Sequence, residues 1–388
     1  MRSVRDIPFF ANIPILVRAA LNAPVKNGEV VNDYRLRRAA PTIRFLAERG
    51  AKVVLISHLG EQGTETLSPV ARALEKIVPG TSFFGETVGE RARAAVRDLP
   101  PRNVLVLENL RRDKGERTND RAFARELAAL ADVFVQDSFD TCHRAHASIV
   151  GVPELLPSYA GLLLEEEVHE LSRALAPKRP ALAVIGGAKF GTKEPVLMRL
   201  LQTYDHVFVG GALANDFLKA AGQPVGKSLV STADSSHVKK LLVNPKLVIP
   251  VDSLVIPASA VGTPNARARA RIASPGGVWS DEVILDHGPG TSALLSSLAE
   301  KAKTILWNGP LGKYEDGLTD ATDAFAQAVA ASNAHSIVGG GDTIAAIEKL
   351  GLLSRFSFVS TGGGAMLDFL AKGMLPGIEA LDNSPFTR

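Results

Sequence analysis

Short apolar runs, many of them β-branched, alternate along the chain with longer segments whose apolar positions recur at helical spacing. The runs in the first half are IPILV (13–17), KVVLIS (52–57), NVLVL (103–107) and DVFVQ (132–136). Those in the second half are ALAVI (181–185), HVFV (206–209), KTILW (303–307), HSIV (335–338) and FSFVS (356–360). Continuous apolar runs between helical patterns are typical of parallel strands buried on both faces. With a long helical pattern at 158–177 between the two sets, the sequence predicts an α/β protein of two doubly wound, Rossmann-like parallel-sheet domains joined by a helix.

Composition narrows the possible partners and the compartment. Forty-four Lys and Arg against forty-one Asp and Glu leave a net charge of only +3, too even a balance to indicate a nucleic-acid or membrane partner. Cys142 is the single cysteine, so an intrachain disulfide is impossible. Residues 1–24 are interrupted by prolines and Arg18 and resemble neither a signal peptide nor a spanning helix. We expect a cytoplasmic protein.

Four glycine turns follow strands of the second half. They are IGGAKFGTK (185–193), VGGALA (209–214), VGGGDT (338–343) and STGGGA (360–365). The carboxyl ends of parallel strands meet at one edge of a sheet, where backbone amides and helix N-termini can hold phosphate. Four such turns in one predicted sheet favour a phosphate-binding crevice over four unrelated packing glycines.

Basic residues take the equivalent positions in the first half. Arg35, His58, Arg111, and the pair His143 and Arg144 lie in loops or at strand ends. Arginine suits the planar, charge-assisted capture of carboxylate or phosphate, so an anion site is predicted there. Arginines within helical patterns, by contrast, are interpreted as a solvated basic face.

Two other interpretations are disfavoured. CHRAH offers Cys142, His143 and His146 to a zinc ion, but no second cluster has zinc-like spacing. AGQPVGKS (221–228) ends like a Walker A loop, yet Ala221 replaces its first glycine and no strand immediately precedes it. A half that holds phosphates and a half that collects an anion indicate phosphoryl transfer, with hinge closure to align the reactants and exclude water.

The motifs together resemble the phosphoglycerate kinase family over essentially the whole chain. They include LVRAALNAPVKNGEVVNDYRLRRAAPTI, SHLG, LENLR, DSFDTCHRAHAS, GGAKFGTK, VGKSL, PVD, DHGPGT, WNGPLG, VGGGDT and STGGGA, in family order. The resemblance implies the phosphoglycerate kinase fold, with an acid-binding domain (1–157 plus the tail 372–388), an interdomain helix (158–177) and a Mg²⁺-nucleotide domain (178–371). It implies reversible phosphoryl transfer from ATP to 3-phosphoglycerate, giving 1,3-bisphosphoglycerate and ADP, by a monomer.

The resemblance also assigns roles to individual residues. Catalysis falls to Arg35, Lys189, Gly341 and Gly364, the last in a run with Gly362 and Gly363 that opens a helix toward the transferred phosphate. Asp342 resembles the Mg²⁺ ligand. The other nucleotide-binding positions are Lys189, Lys193, Gly210, Gly211, Asn308, Pro310, Glu315, Gly339, Gly340, Gly341 and Thr343. The acid-binding positions are Asn22, Arg35, His58, Arg111, His143 and Arg144.

The departures from the family pattern surround the acid. Ala20 replaces an aspartate that binds the glycerate hydroxyl, and Glu61 replaces an arginine that binds the distal phosphate. Asp140 replaces a glycine, and the family motif LRFH is LRRD in this chain, with Arg112 and Asp113. Either Arg112 supplies the lost cation, or the acid is another small carboxylate that Glu61 and Asp140 recognise. A non-catalytic nucleotide-binding regulator is disfavoured, because Arg35, Lys189, Lys193 and Asp342 are all present.

Overall fold

A computed structural model of the chain describes residues 1–188, 190–231, 235–263 and 266–386, without the side chain of Glu315. The chain forms two compact units, Met1–His169 together with Met374–Arg388, and Glu170–Gly373. Each unit contains a six-stranded parallel sheet, and each of the nine predicted apolar runs contributes a strand to one of them. The predicted α/β class is therefore confirmed. None of the described helices is long and apolar enough to cross a membrane.

The first unit is built on a sheet with strand order β5-β6-β4-β1-β7-β8. Its strands are β1 (Pro14–Ala19), β2 (Val25–Lys26), β3 (Glu29–Val30), β4 (Lys52–Ile56), β5 (Thr81–Phe84), β6 (Val104–Leu107), β7 (Val133–Asp137) and β8 (Ser158–Ala160), of which β2 and β3 form a separate hairpin. Its helices are α1 (Tyr34–Glu48), α2 (Ser68–Glu75), α3 (Glu90–Asp98), α4 (Lys114–Arg117), α5 (Arg121–Ala128) and α6 (Leu162–Leu175). The boundary with the second unit falls inside α6, after His169.

Successive residues of a central strand pack into separate cores on the two faces of this sheet. Ile15 and Val17 of β1 belong to one buried cluster and Leu16 to the other. Side chains alternate across a strand, so a strand covered on both faces must be apolar at every position. This is the physical reason why β1 appears in the sequence as a continuous apolar run.

The second unit has strand order β11-β10-β9-β15-β16-β17 in its parallel sheet and β13-β12-β14 in a small antiparallel one. Its strands are β9 (Ala181–Ile185), β10 (His206–Val209), β11 (Leu247–Val248), β12 (Ser253–Pro257), β13 (Arg271–Ala273), β14 (Glu282–His287), β15 (Thr304–Asn308), β16 (His335–Gly339) and β17 (Phe358–Val359). Its helices are α7 (Phe190–Thr203), α8 (Leu213–Ala220), α9 (Ser235–Leu242), α10 (Pro289–Lys301), α11 (Asp320–Ala331), α12 (Gly341–Lys349) and α13 (Gly363–Lys372).

The long helix predicted at 158–177 is shorter in the structure. Ser158–Ala160 instead forms β8, which pairs with β7 in parallel, and Gly161 donates its amide to the Gln136 carbonyl. Helix α6 then begins at Leu162, and the Asp137 carboxylate accepts the amides of Leu163 and Leu164 at 3.0 and 3.3 Å. Pairing with β7 has therefore overridden the helical pattern of the first three residues.

The chain ends with a helix that packs on the first unit. Helix α14 (Pro376–Asp382) follows Met374, and the Gly377 amide donates to the Cys142 carbonyl at 2.9 Å. Ile378 and Leu381 of this helix are buried. The carboxyl-terminal segment is therefore part of the fold of the first unit.

Candidate functional site

Four neighbouring strands of the first unit bring the predicted acid-binding residues to one edge of the sheet. Arg111 follows β6, His58 follows β4, Asn22 follows β1, and Asp140 follows β7. These strands are adjacent in the order β6-β4-β1-β7, although residues as far apart as Asn22 and Asp140 are involved. The edge formed by the residues after these four strands is called the acid edge below.

A buried arginine supports the acid edge from within the sheet. The Arg18 side chain is 1% exposed and contacts Nδ1 of His58 at 2.9 Å, and Asn22 Nδ2 lies 3.5 Å from Nε2 of the same ring. Burial and the Arg18 guanidinium lower the pKa of His58 well below its ordinary value, so the ring is neutral. Asn22 Oδ1 is buried without a hydrogen-bond partner among the described residues. The edge therefore offers an unused acceptor beside a fixed imidazole.

Sequence reasoning did not give Arg18 a role in this site. The available signal was a single charged residue inside an otherwise apolar strand, ILVRAA. A buried guanidinium needs hydrogen-bond partners, and Arg18 also contacts Ser148, Ser138 and the Ala19 carbonyl. Its charge adds to the positive potential of the acid edge.

Arg35 extends from the first turn of α1 and donates to the Asn22 carbonyl at 3.0 Å. Asp140, half-buried, accepts a hydrogen bond from the Ser138 hydroxyl. Burial opposes ionisation of Asp140, but the charges of Arg35 and Arg18 outweigh it and lower the pKa of this carboxyl. Asp140 is therefore a negative charge held among the cations of the acid edge.

Arg111 has a carboxylate partner at its guanidinium. Its side chain is 3% exposed and lies 3.4 Å from the Glu61 carboxylate, while its guanidinium also donates to the Gly60 carbonyl. Arg112 instead pairs with Glu108 at 3.0 Å, and Asp113 caps α4 by accepting the Gly115 amide. In this structure Arg112 is therefore paired with Glu108 rather than with a group at the Arg111–Glu61 contact.

His143 and Arg144 lie half-buried at the same edge, with Arg144 Nε 3.4 Å from His143 Nε2. Burial and the charge of Arg144 lower the pKa of the nearby His146 to about 4. Cys142 is fully buried, and burial raises its pKa. Among the described residues, no group of three or more His, Cys, Asp or Glu side chains could hold a metal ion, so the structure offers no zinc cluster here.

The four glycine turns of the second unit meet at the carboxyl edge of its sheet, called the nucleotide edge below. A Cβ on Gly186 would lie 2.1 Å from the Pro310 carbonyl oxygen, which brings the turn after β9 against the turn after β15. Gly340 has φ +106°, a backbone conformation that favours glycine. A Cβ on Gly363 would lie 2.7 Å from the Cα of Gly340. At Gly186 and Gly363 the backbone therefore packs too closely for a side chain.

Three polar side chains join these turns. Lys193 Nζ lies 3.5 Å from the Asn308 Oδ1, and Asn308 Nδ2 donates to the Gly363 carbonyl at 3.3 Å. The buried Thr343 hydroxyl accepts the Gly309 amide at 3.0 Å. Burial lowers the pKa of Lys193 to about 8. The Lys193 ammonium thus contacts Asn308, whose amide also reaches the first residue of α13.

The predicted nucleotide residues differ in where the structure places them. Gly211, Pro310 and Asp342 line a cavity of about 620 Å³, and Asp342 is exposed in the first turn of α12. Buried positions that support the turns are Gly210, Asn308, Gly339 and Thr343. The first turns of α12 and α13 expose Gly341 and Gly364, while Gly362 immediately precedes α13. Lys189 and the side chain of Glu315 lie outside the described part of the structure.

The cavity also has lining residues that sequence reasoning missed, among them Asn215, Lys227, Asp286 and His287. Lys227 belongs to the segment that ends like a Walker A loop, but that segment follows helix α8 rather than a strand. The signal for His287 is its place in the motif DHGPGT, which follows the apolar stretch VIL. Burial raises the pKa of Asp286 to about 7, and its carboxylate accepts the His287 amide at 2.8 Å.

A nucleotide-dependent phosphotransferase needs a site for phosphates and a site for an anionic acceptor. The glycine turns of the second unit and the acid edge of the first can provide them. The family model described as phosphoglycerate kinase matches residues 4–373. The chain therefore belongs to the phosphoglycerate kinase family. Members are phosphotransferases with a carboxyl group as acceptor, and this chain is an enzyme of that class, with ATP and ADP as co-substrates.

Individual relatives match along nearly the full length. The phosphoglycerate kinase of Pelotomaculum thermopropionicum is 41% identical over 393 residues, with 98% of each chain covered. The solved structure of phosphoglycerate kinase from Coxiella burnetii has 40% identity, a TM-score of 0.82 and 98% coverage of both chains. That from Pyrococcus horikoshii has 30% identity, a TM-score of 0.88 and 99% coverage of both chains.

Proposed function

We propose that the chain catalyses the reversible, Mg²⁺-dependent transfer of the γ-phosphoryl group of ATP to the carboxylate of 3-phosphoglycerate. An oxygen of the carboxylate bonds to the γ-phosphorus as the bond to the β,γ-bridging oxygen breaks, giving an acyl phosphate and ADP. The observation that supports the proposal is that both sheets carry charge-binding groups at their carboxyl edges: cations in the first unit, and backbone turns with Lys193 and Asp342 in the second.

The nucleotide edge would hold the phosphates. Lys193 would neutralise phosphate charge, and the N-termini of α12 and α13, whose first turns contain Gly341 and Gly364, would direct amides and positive helix ends at the transferred group. Asp342 is a single exposed carboxylate, which fits a Mg²⁺ ion held by one protein ligand and otherwise by phosphates and water. The bound ion would neutralise charge that develops on the phosphate oxygens. By family resemblance, Lys189 would stabilise the phosphoryl group in transfer.

The acid edge would hold the acceptor. No general base is required, because a carboxylate is already ionised at neutral pH; positioning and charge neutralisation are what the reaction needs. Arg35, fixed by the Asn22 carbonyl, would neutralise charge on the reacting groups. The other acid-binding roles that we propose are those of Asn22, His58, Arg111, His143 and Arg144.

A specific contact favours a second candidate, in which the same transfer is made to another small carboxylic acid. Glu61 lies 3.4 Å from the guanidinium that would take the distal phosphate, and Asp140 adds a second negative charge at the same edge. One lost charge-assisted contact costs on the order of 1.5–3 kcal/mol, equivalent to about ten- to hundredfold in affinity. An acid with a neutral or amine-bearing distal end would avoid this cost.

A coupled assay of ADP formation separates the candidates. Saturable turnover with ATP, Mg²⁺ and 3-phosphoglycerate supports the first proposal. If 3-phosphoglycerate gives only background rates while glycerate or an amine-bearing analogue turns over, the second candidate is correct. If ADP binds but no acid is phosphorylated, both fail and the chain is a nucleotide-binding regulator. Lys189→Ala should abolish turnover of whichever acid is accepted.

We also infer a monomeric cytoplasmic enzyme that needs no nucleic-acid or membrane partner. Support comes from the buried, unpaired Cys142 and from the presence of both ligand edges in one chain. Sedimentation of the purified protein, with and without ADP, tests the oligomeric state.

A further inference from the structure

The cavity at the nucleotide edge has mostly apolar walls. Leu218, Leu285 and Leu311 line it together with the glycine turns after β9 and β10. Flat apolar surfaces beside close backbone turns suit a planar heterocycle, whose faces are apolar and whose edge carries donors and acceptors. Polar protein groups are therefore needed to contact the edge of such a ligand.

His287, the last residue of β14, lines this cavity and is 6% exposed. Its ring is packed edge-on against Phe208, with centroids 5.3 Å apart, and its Nε2 lies 3.0 Å from the position of a Cβ on Gly210. The residue is therefore held at the end of β10, beside the glycine turn that contributes Gly211 to the cavity.

Neither ring nitrogen of His287 has a hydrogen-bond partner among the described residues. Burial lowers the pKa of His287 to about 4, so at neutral pH the ring offers one N–H donor and one acceptor nitrogen. Asn215, 1% exposed in the same cavity, donates to the Leu229 carbonyl, but its Oδ1 also has no partner in the described structure. Buried polar groups are normally satisfied, so two such side chains in one cavity indicate a polar ligand.

We propose that His287 recognises the nucleotide base, with a ring nitrogen hydrogen-bonded to the edge of the heterocycle and the Asn215 Oδ1 as a second acceptor. The inference rests on the proposed nucleotide role of the second unit and names the side chains that select the base. Of the charged residues of the same cavity, Lys227 and Asp342 suit phosphate and metal rather than a neutral base edge, Lys313 pairs with Asp316, and the Asp286 carboxylate accepts the His287 and Ala321 amides. His287 and Asn215 thus contribute neutral polar groups to the cavity lining.

The direct test observes the imidazole. In protein with ¹⁵N-labelled histidine, Mg²⁺-ADP should shift the ring-nitrogen resonances of His287, whereas Mg²⁺-pyrophosphate, which has no base, should leave them in place. Unchanged resonances at saturating ADP would overturn the proposal. If neither ligand binds the wild-type protein, the proposed nucleotide function has failed instead, so the two failures are distinguishable.

Affinity measurements supply the second arm. Calorimetry on His287→Leu should give an ADP dissociation constant about tenfold higher than wild type, with pyrophosphate binding unchanged. His287→Gln, which keeps a donor and an acceptor, should stay within about threefold. His335→Gln is the matched control, because His335 is paired with Glu170 at 2.7 Å and does not line the cavity. Equal losses of ADP and pyrophosphate affinity in His287→Leu would also contradict the proposal, and if that variant does not fold, the resonance experiment still decides.

Discussion

The two ligand edges of this protein are made from different parts of the chain. At the acid edge, the proposed binding groups are side chains, and a hydrogen-bond network runs from Arg18 through His58 to Asn22. At the nucleotide edge the proposed binding groups are largely backbone, in turns where Gly186 and Gly363 leave no room for a Cβ. The resemblance places the departures from the family pattern, among them Ala20, Glu61 and Asp140, around the acid edge.

This difference shows which kind of site can be altered by single substitutions. Replacing a side chain at the acid edge changes charge and leaves the strands in place, as the pairing of Glu61 with Arg111 illustrates. Replacing a turn glycine forces backbone apart and threatens the fold of the unit. We therefore expect specificity to have changed at the acid edge while nucleotide binding was retained.

The largest effect is expected from Arg35→Ala at the acid edge. Loss of a cation that neutralises charge in the transition state should lower kcat by about 10²–10³, with little change in ADP affinity. Steady-state kinetics with calorimetry of ADP binding measure both quantities. Arg37→Ala, on the same helix but exposed and paired with Asp33, is the matched control and should leave kcat unchanged. A kcat within threefold of wild type for Arg35→Ala would remove Arg35 from the reaction.

At the nucleotide edge, Gly186→Ala should destabilise the second unit. Its Cβ would lie 2.1 Å from the Pro310 carbonyl oxygen, so backbone must move, at a cost of about 1–3 kcal/mol in the free energy of unfolding, together with weaker ADP binding. Denaturant unfolding measures the change. Gly191→Ala in α7, where a Cβ would have nothing within 4 Å, should be neutral or stabilising. Equal stability of the two variants would mean that the turns tolerate side chains.

Glu61→Arg tests whether the acid edge can be returned to binding a phosphate. Removing the carboxylate 3.4 Å from Arg111 and adding a cation should lower KM for 3-phosphoglycerate about tenfold at low ionic strength, and less at high salt because Glu61 is exposed. Glu75→Arg on α2 makes the same charge change elsewhere in the unit and should have no such effect. A higher KM in Glu61→Arg would show that Glu61 contributes to recognition of the acid.

The smallest effect is a pH dependence at Lys193. Because burial lowers its pKa to about 8, the free enzyme loses this charge as pH rises through 8, and affinity for Mg²⁺-ADP should fall above that pH. Phosphate favours the charged form, so binding near pH 8–9 should take up a fraction of a proton, measured by calorimetry in buffers of different ionisation enthalpy.

In Lys193→Arg both the proton uptake and the decline in affinity should disappear, because arginine stays charged. The effect of Lys193 on the free energy of unfolding is opposite in sign to that of a lysine paired with an acid. Because its pKa is lower in the folded than in the unfolded protein, Lys193 destabilises the fold below about pH 8, and this destabilisation disappears as pH rises toward the pKa of the unfolded state. A pH-independent ADP affinity in the wild-type protein between pH 7 and 10 would contradict this assignment.

Much of the fold could be predicted because most of its strands and helices have recognisable patterns of apolar residues within a short stretch of sequence. Strands β9 and β10 match the predicted runs residue for residue. The small β13-β12-β14 sheet escaped prediction, because several residues of its strands are only partly buried. The sequence suggests Arg112 as a replacement cation, and in the structure its guanidinium pairs with Glu108, which lies four residues earlier just after β6.

By itself, the sequence determined the alternation of strands and helices and the glycine turns after the strands of the second unit, since both depend on residues close together in the chain. Only the tertiary structure decided which charges meet: Arg111 with Glu61, Asp140 among the arginines, and a His287 ring that has no partner among the described residues. Such pairings join residues from loops after strands far apart in the sequence. They therefore depend on strand order in the sheets, which no local pattern encodes.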